Sequence, residues 1–392
     1  MKGRTEPSLA DRIARLVLSA LENERALDLR YRAANPASFS DLRRIPNYKP
    51  MAQVALVRRL GVLYAPFIAL AVFGVAASHF AHVGLALVRW ARAPRLGPGG
   101  CFFFATVSTN TALILEAMSQ EPASADGRSC AAAARSLDAA TLSGGLGPRK
   151  ILICALAVLL LYGRMLRCRG RRLDLALHAR DAVFLAMLVA FSLTDARRAF
   201  WTDDHYQRWA FLLSSTSPGL AIVQHGFVDP DISFPFPFGR VRCLAVRHER
   251  FVEQFARYYA IDSWFVFGAP VSFDIVDERP LLLLASSAPH IDEEIAFLRA
   301  IKGASSVPIV VKLHPAHEYD DRKNALLALA DFVSRPDQRP AARYFASHSS
   351  FMEYEYEAAG AITCSIARCG GASGAAQWLL DRLPGGSARD RK

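Results

Sequence analysis

Residues 281–314 read LLLLASSAPH IDEEIAFLRA IKGASSVPIV VKLH. Two apolar runs, Leu281–Ala285 and Pro308–Leu313, have the length of buried strands, and Ile291–Ile301 between them has the length and composition of a helix. A strand, a helix and a second strand at this pitch make a βαβ unit, which sets strands side by side in a parallel sheet. The rhythm continues downstream. It predicts a helix at Asn324–Val333, a strand at Arg343–Ala346, a helix at Phe351–Ala359, a strand at Ala361–Cys364 and a last helix over 372–383.

Upstream the same alternation recurs, beyond an acidic linker at 271–279. Leu220–Gln224 reads as a strand that ends at His225-Gly226 and leads into a loop rich in Pro and Phe at 229–239. Strand Arg242–Val246, helix Glu249–Tyr259 and strand Trp264–Phe267 follow, the last closing on Gly268. Further back, Cys101–Val107 reads as a strand, with Ser108, Thr109 and Asn110 as capping residues for a helix at 111–119. Residues 121–149 read as loop or weak helix and 150–193 as helical. Ala199–Thr202 reads as a short strand ending at Asp203-Asp204, before a helix over about 205–214. A chain of 392 residues exceeds one ordinary core. The expected fold is α/β, with two Rossmann-like domains facing a cleft and an apolar helical N-terminal region. The expected boundaries are 1–99, 100–270 and 280–392.

In open α/β sheets, ligands bind beyond the carboxyl ends of the strands, and His225, Gly268, Ser286, His314 and Ser347 all fall at such ends. An imidazole there serves as general base toward a hydroxyl, and Gly226 beside it would let the backbone turn tightly against a ligand. The alternative is a histidine that only bonds within its loop. Lys312 and His314 lie two apart in a strand and share one face. A cation and an imidazole together suit a diphosphate leaving group; the alternative is a solvent-facing lysine. His317 extends that site or faces water. Ser349 and Ser350 precede the helix near Phe351, where free amides attract phosphate. Glu353 either completes a capping box with Ser350 or holds a ribose hydroxyl. Asp203, Asp204 and His205 read as helix-capping residues, a catalytic acid or a metal ligand. No DxD pair stands in a strand–loop setting, so a metal is not required.

These motifs, His-Gly at 225–226, Lys-x-His-Pro at 312–315 and Ser-Ser at 349–350, resemble those of bacterial GT-B transferases. The group includes capsule polysaccharide glycosyltransferases, CDP-glycerol glycerophosphotransferases, and sialyl- and Kdo-transferases. The resemblance covers about 200–380. It implies catalytic roles for His225 and His314, and nucleotide or phosphate contacts for Lys312, Ser349 and Ser350. Gly226, Gly268 and Glu353 complete the candidate set. Two departures stand out: Gly360-Ala361-Ile362 lacks the proline usual after the serine helix, and the second domain is short. The expected activity moves a group from a nucleotide-linked donor, a substrate and not a cofactor, to a surface glycan or lipid-linked acceptor. The rivals are a GT-B nucleotide-sugar 2-epimerase and a non-catalytic component of a polysaccharide assembly complex.

Composition narrows the setting. Hydrophobic residues make up 52% and charged residues 21%, with a net charge of +11, which favours phosphate or anionic lipid as partner. No nucleic-acid motif accompanies that charge. Leu60–Val88 holds no Asp, Glu, Lys or Arg, and Arg58, Arg59, Arg89, Arg92 and Arg95 flank it. It is long enough to span a bilayer or to form a core helix. Ile151–Gly163 and Ala182–Leu193 are shorter apolar runs, suited to core helices or an interfacial anchor. Seven scattered cysteines read as a reducing setting, with Cys364 and Cys369 bracketing a short loop. The expected location is the cytoplasmic side of the inner membrane.

Overall fold

A computed structural model describes residues 7–34, 64–93, 95–106, 108–122, 133–168, 172–226, 232–267, 273–275, 278–314, 317–336, 338–348 and 350–383. The chain divides into two compact units, 1–268 and 269–392. In chain order the first carries α1 (Leu9–Ala34), α2 (Tyr64–Arg92), β1 (Cys101–Phe104), α3 (Thr111–Gln120), β2 (Arg135–Ser136) and α4 (Ala139–Met165). It continues with α5 (Arg172–His178), α6 (Ala182–Thr194), β3 (Ala199–Thr202), α7 (Arg208–Thr216), β4 (Leu220–Val223) and β5 (Arg240–Val241). β6 (Cys243–Val246), α8 (Phe251–Ala256), β7 (Ala260–Ile261) and β8 (Trp264–Val266) complete it. The second unit holds β9 (Leu282–Ser286), α9 (Ile291–Ala304), β10 (Ile309–Leu313), α10 (Arg322–Leu327) and β11 (Phe332–Ser334). After these come β12 (Tyr344–Ser347), α11 (Met352–Ala358), β13 (Ile362–Ser365) and α12 (Ala372–Leu380).

Each unit is built on a parallel sheet. In the first the strand order is β2-β1-β3-β4-β6-β8, every neighbouring pair parallel. In the second it is β11-β10-β9-β12-β13, again all parallel. Strands covered on both faces read as unbroken apolar runs, which explains why Leu281–Leu284 and Ile309–Val311 are wholly buried. Strand order reverses between β1 and β3 in one sheet and between β9 and β12 in the other. Those switch points are where such sheets open a crevice at their carboxyl ends.

Several elements differ from the sequence expectation. Residues 121–149 include the edge strand β2 and the start of α4, whose N-terminus Asp138 caps by accepting the Thr141 amide at 2.7 Å. Within α4, Gly147 has φ 74° immediately before Pro148, so the helix kinks where a left-handed residue meets one that lacks a donor. Phe332 and Val333, expected to end a helix, lie in β11, which pairs with β10 through Val310 and Phe332. A three-residue edge strand leaves too short a pattern to separate from a helix end.

The expected boundary at 99 falls inside the first unit. There α1 packs on α4, α6 and α7, and α2 packs on α4, burying Ile13, Val17 and Leu21. Of the apolar helical stretches, Asp174–Thr194 is largely buried, while only a third of the most apolar window of Ala139–Met165 is. Cys101 is disulfide-bonded, which departs from the reading of the scattered cysteines as a reducing setting; the other five described cysteines are free.

Candidate functional site

The candidate residues fall into two groups, one at the mouth of each sheet. In the first unit, Asp203 stands just beyond β3 and is wholly buried. Its carboxylate accepts from the Thr106 amide at 2.7 Å, the Thr106 hydroxyl at 2.6 Å and Asn110 Nδ2 at 2.5 Å. These bonds tie the end of β1 to the end of β3 across the switch point. Asn110, expected to cap α3, makes no side-chain cap; its amide goes to Asp203 instead.

The main-chain carbonyl of Asp203 lies 2.6 Å from His225 Nδ1. A carbonyl only accepts, so Nδ1 carries a proton, and in the neutral ring Nε2 is then the nitrogen with the lone pair. The His225 amide donates to His205 Nε2 at 3.1 Å, which by the same logic requires His205 to hold that nitrogen unprotonated. The two rings lie 4.3 Å apart. Behind them the buried Tyr259 hydroxyl donates to the His205 carbonyl at 2.5 Å, and Phe255 meets the His205 ring edge-on. His225 itself is about a third exposed. It is held from behind and open in front.

Gln224 shapes the turn that carries it. Fully buried, it accepts the Arg247 amide at 3.0 Å and donates to the Gly226 carbonyl at 3.3 Å. Gly226 departs from expectation. Its φ is not among the positive ones, and a methyl group built on it would meet open space, so the turn does not require glycine. Asp204 is a helix cap: it accepts the amides of Gln207 at 2.7 Å and Ala210 at 2.9 Å at the start of α7. Burial raises its carboxyl to about 7, against the pull of those two amides. Of the loop phenylalanines, Phe238 packs inward against Phe211, Phe234 and Tyr259, while Phe236 is exposed.

In the second unit Lys312 points into main chain and not toward solvent. Its side chain is only 4% exposed, and Nζ donates to the carbonyls of Arg335 at 2.9 Å, Pro336 at 2.6 Å and Gln338 at 2.8 Å. An ammonium has three donors, and all three hold the loop after β11. In this arrangement Lys312 ties that loop to β10. Glu353 is buried and pairs with Arg368, a partner neither reading named. The Ser350 hydroxyl accepts the Met352 amide at 3.3 Å, a local turn bond. Ser349, Gly268 and Pro315 lie outside the described residues.

What gathers at this mouth is histidine. His314 is exposed and stacks on His317 with ring centres 3.9 Å apart. His290, in the turn after β9, stacks on His348, just past β12, at 3.4 Å and nearly parallel. His317 Nδ1 accepts the Ala288 amide at 3.4 Å, which ties the turn after β9 to the loop after β10. Burial holds His290, His314, His317 and His348 below the ordinary imidazole range, and the neighbouring ring adds to this for His290 and His317. Glu293 faces His348 Nε2 at 3.7 Å and opposes that lowering. His290 and His348 flank the switch point between β9 and β12. The sequence gives no signal for them, because 58 residues separate the two rings.

A buried acid supports this mouth from below. Glu294 accepts the Ser286 hydroxyl at 2.6 Å and the Ser287 amide at 2.9 Å, and burial raises it to about 7. Tyr319 donates to the Ser286 carbonyl and accepts the His314 amide, both at 3.0 Å. Cys364 and Cys369 place their sulfurs 3.8 Å apart. Among the described residues, no group of three or more His, Cys, Asp or Glu is arranged to hold a metal ion. Chemically, the first mouth offers an oriented base, and the second offers paired imidazoles whose nitrogens can donate to an anion. Compared with protein-family models and with curated proteins, the chain matches none.

Proposed function

We propose that the protein is a transferase of the GT-B type that moves a group from a nucleotide-activated donor to an acceptor hydroxyl. One observation carries the reading: the Asp203 carbonyl holds a proton on His225 Nδ1, so in the neutral form of this partly exposed ring Nε2 is the proton acceptor at the mouth of a parallel sheet. In this reading Nε2 takes the proton of the acceptor hydroxyl. The freed oxygen bonds to the donor's transferred group, and the bond from that group to the nucleotide phosphate breaks, its electron pair leaving with the phosphate. At the mouth of the second unit's own sheet, the histidine pairs offer N–H donors of the kind a phosphate accepts. Thr106, Asn110 and His205 are positioning residues, because they hold Asp203 and the His225 amide.

The experiment has two stages on the full chain. A thermal-shift panel of CMP-, CDP-, UDP- and GDP-linked donors identifies the compound that stabilises the fold by mass action. Turnover of that donor is then measured in wild type and in His225→Ala. Loss of turnover with donor binding retained is the expected result; undiminished turnover overturns the reading. Turnover without acceptor would instead mark an epimerase. The engagement of Lys312 by main-chain carbonyls favours a second reading, a non-catalytic assembly component, and failure of every donor to shift the melting temperature would select it.

A further inference from the structure

Outside both mouths, α2 and α4 pack against each other and leave an apolar face uncovered. On α4, Ile151, Cys154, Val158 and Leu161 are buried. Leu152, Leu156, Leu159 and Leu166 point the other way and are half exposed or more. On α2, Phe73 is 73% and Phe80 is 68% exposed, with Val88 further along. A helix apolar on every side belongs in a core or against lipid, and here the core covers one side only. Contiguous apolar surface of this kind marks a docking face.

The charges say what docks. Where the last turns of α2 approach the start of α4, a cavity of about 530 Å³ is lined by Leu85, Val88, Arg89, Arg92, Arg135 and Asp138. The three arginines are exposed, and none pairs with a carboxylate among the described residues. Asp138 is occupied at the α4 amides. Beyond the opposite end of the apolar stripe lie Arg164 and Arg167, Arg164 paired with Asp11. Between these basic ends, residues 151–163 of α4 and 64–88 of α2 contain no Asp, Glu, Lys or Arg. An apolar stripe with basic ends is the pattern of an interfacial helix on anionic lipid. A second copy on this face would set arginine against arginine at both ends, which opposes pairing.

We infer that α2 and α4 form a docking face for an anionic phospholipid bilayer, with a headgroup phosphate held in the Arg89, Arg92 and Arg135 cavity. The helices lie in the interface and do not cross it, because their inner sides pack on the rest of the unit. This inference does not depend on the transfer reaction.

The test floats the full chain with vesicles of phosphatidylcholine alone, and with vesicles of equal parts phosphatidylcholine and phosphatidylglycerol. The expected result is flotation with the anionic vesicles, weakened by added salt. The triple variant R89Q/R92Q/R135Q should lower that partitioning on the order of a hundredfold, as each arginine near the surface contributes about fivefold. L156Q/L159Q, at exposed positions, should abolish flotation while its melting curve matches wild type. If the triple variant fails to fold, R92Q alone decides, with an expected loss of about fivefold. Equal flotation with both vesicle types, or none with either, overturns the inference. So does release by excess inorganic phosphate, which marks a site for free anion. A dimer in solution that L156Q/L159Q dissolves, without flotation, overturns it in favour of a second copy.

Discussion

At the mouth of β4 a histidine is gripped from behind and left open; at the mouth of β10 a lysine is gripped on every donor and closed. Both stand near the carboxyl end of a parallel strand, where a ligand site is expected. His225 gives Nδ1 to a carbonyl and keeps Nε2, while Lys312 spends its whole ammonium on the carbonyls of 335, 336 and 338. An imidazole has two distinct nitrogens and can serve structure and chemistry at once. An ammonium saturated by main chain serves structure alone. Position in the fold therefore nominates a residue, and the count of its unspent donors and acceptors decides its role.

The largest expected effect tests the open side. His225→Ala should lower turnover about a thousandfold, or roughly 4 kcal/mol of barrier, the scale of a positioned base. Its melting temperature should stay close to wild type, since the ring is partly exposed. The Asp203 carbonyl and the His205 ring would then face water. Steady-state kinetics and a thermal scan on the same sample check this. A fall in stability that matches the fall in activity would place His225 with Lys312, among the structural residues.

The next effect tests the closed side. Lys312→Met keeps the length of the stem and removes the ammonium, leaving three carbonyls to find water. The expected cost is about 3 kcal/mol, because hydrogen bonds to a charged group are worth more than neutral ones and part of the loop is already hydrated. Chemical denaturation of the full chain reads it. A variant of unchanged stability that loses nucleotide binding would restore Lys312 as a phosphate ligand and break the comparison.

The same contrast separates what the residues disclosed from what they concealed. β4 and β10 were legible as apolar runs that end at a histidine. The partner of His225 was half legible: Asp203 was visible as a polar residue after a weak strand. That its carbonyl takes the Nδ1 proton at 2.6 Å, with the carboxylate farther off at 3.9 Å, depends on the packing of β3 beside β4. The fate of Lys312 was hidden, because strand periodicity tells which face a side chain takes and not what lies over that face. The cover comes from a loop more than 20 residues away. The His290–His348 stack was hidden for a similar reason, since parallel pairing of β9 with β12 creates it; His348 lies inside the serine motif, but nothing there points to His290. The apolar stretch at 60–88 drew attention from its length. The uncovered face of α4 could be seen only once α1 and α6 had covered the other side.

One device is shared by both mouths, and pH separates its two copies. Asp204 and Glu294 are each buried acids that hold the segment after a strand, and each is raised to about 7 by burial. Unfolded, they titrate near 3.8 and 4.5. The folded state thus binds the more protons between about 4 and 7, so stability is greatest below that window and falls as pH rises through it. The expected fall is about 4 kcal/mol for Asp204 and about 3 kcal/mol for Glu294. Glu294→Gln should flatten the part belonging to the second unit and leave the first unchanged; Asp204→Asn should do the reverse. Denaturation curves from pH 4 to 8 check this. A rise in stability across the window would mean that the amides, not burial, dominate both acids.

The smallest effect on stability is expected at Gly226, and it bears on the open side most directly. An added methyl group meets nothing within 4 Å and the backbone is not left-handed, so Gly226→Ala should change stability by less than about 0.5 kcal/mol. Gly374 offers the opposite case, because a Cβ there would lie 1.9 Å from the Cys369 carbonyl and alanine must push the start of α12 off its loop. If a substrate passes beside His225, the Gly226 methyl group would crowd it and raise KM while the fold is untouched. A Gly226→Ala protein with wild-type KM and kcat would show that the space next to His225 is solvent and not a path for substrate. The open nitrogen of His225 would then have to meet the acceptor from its other side.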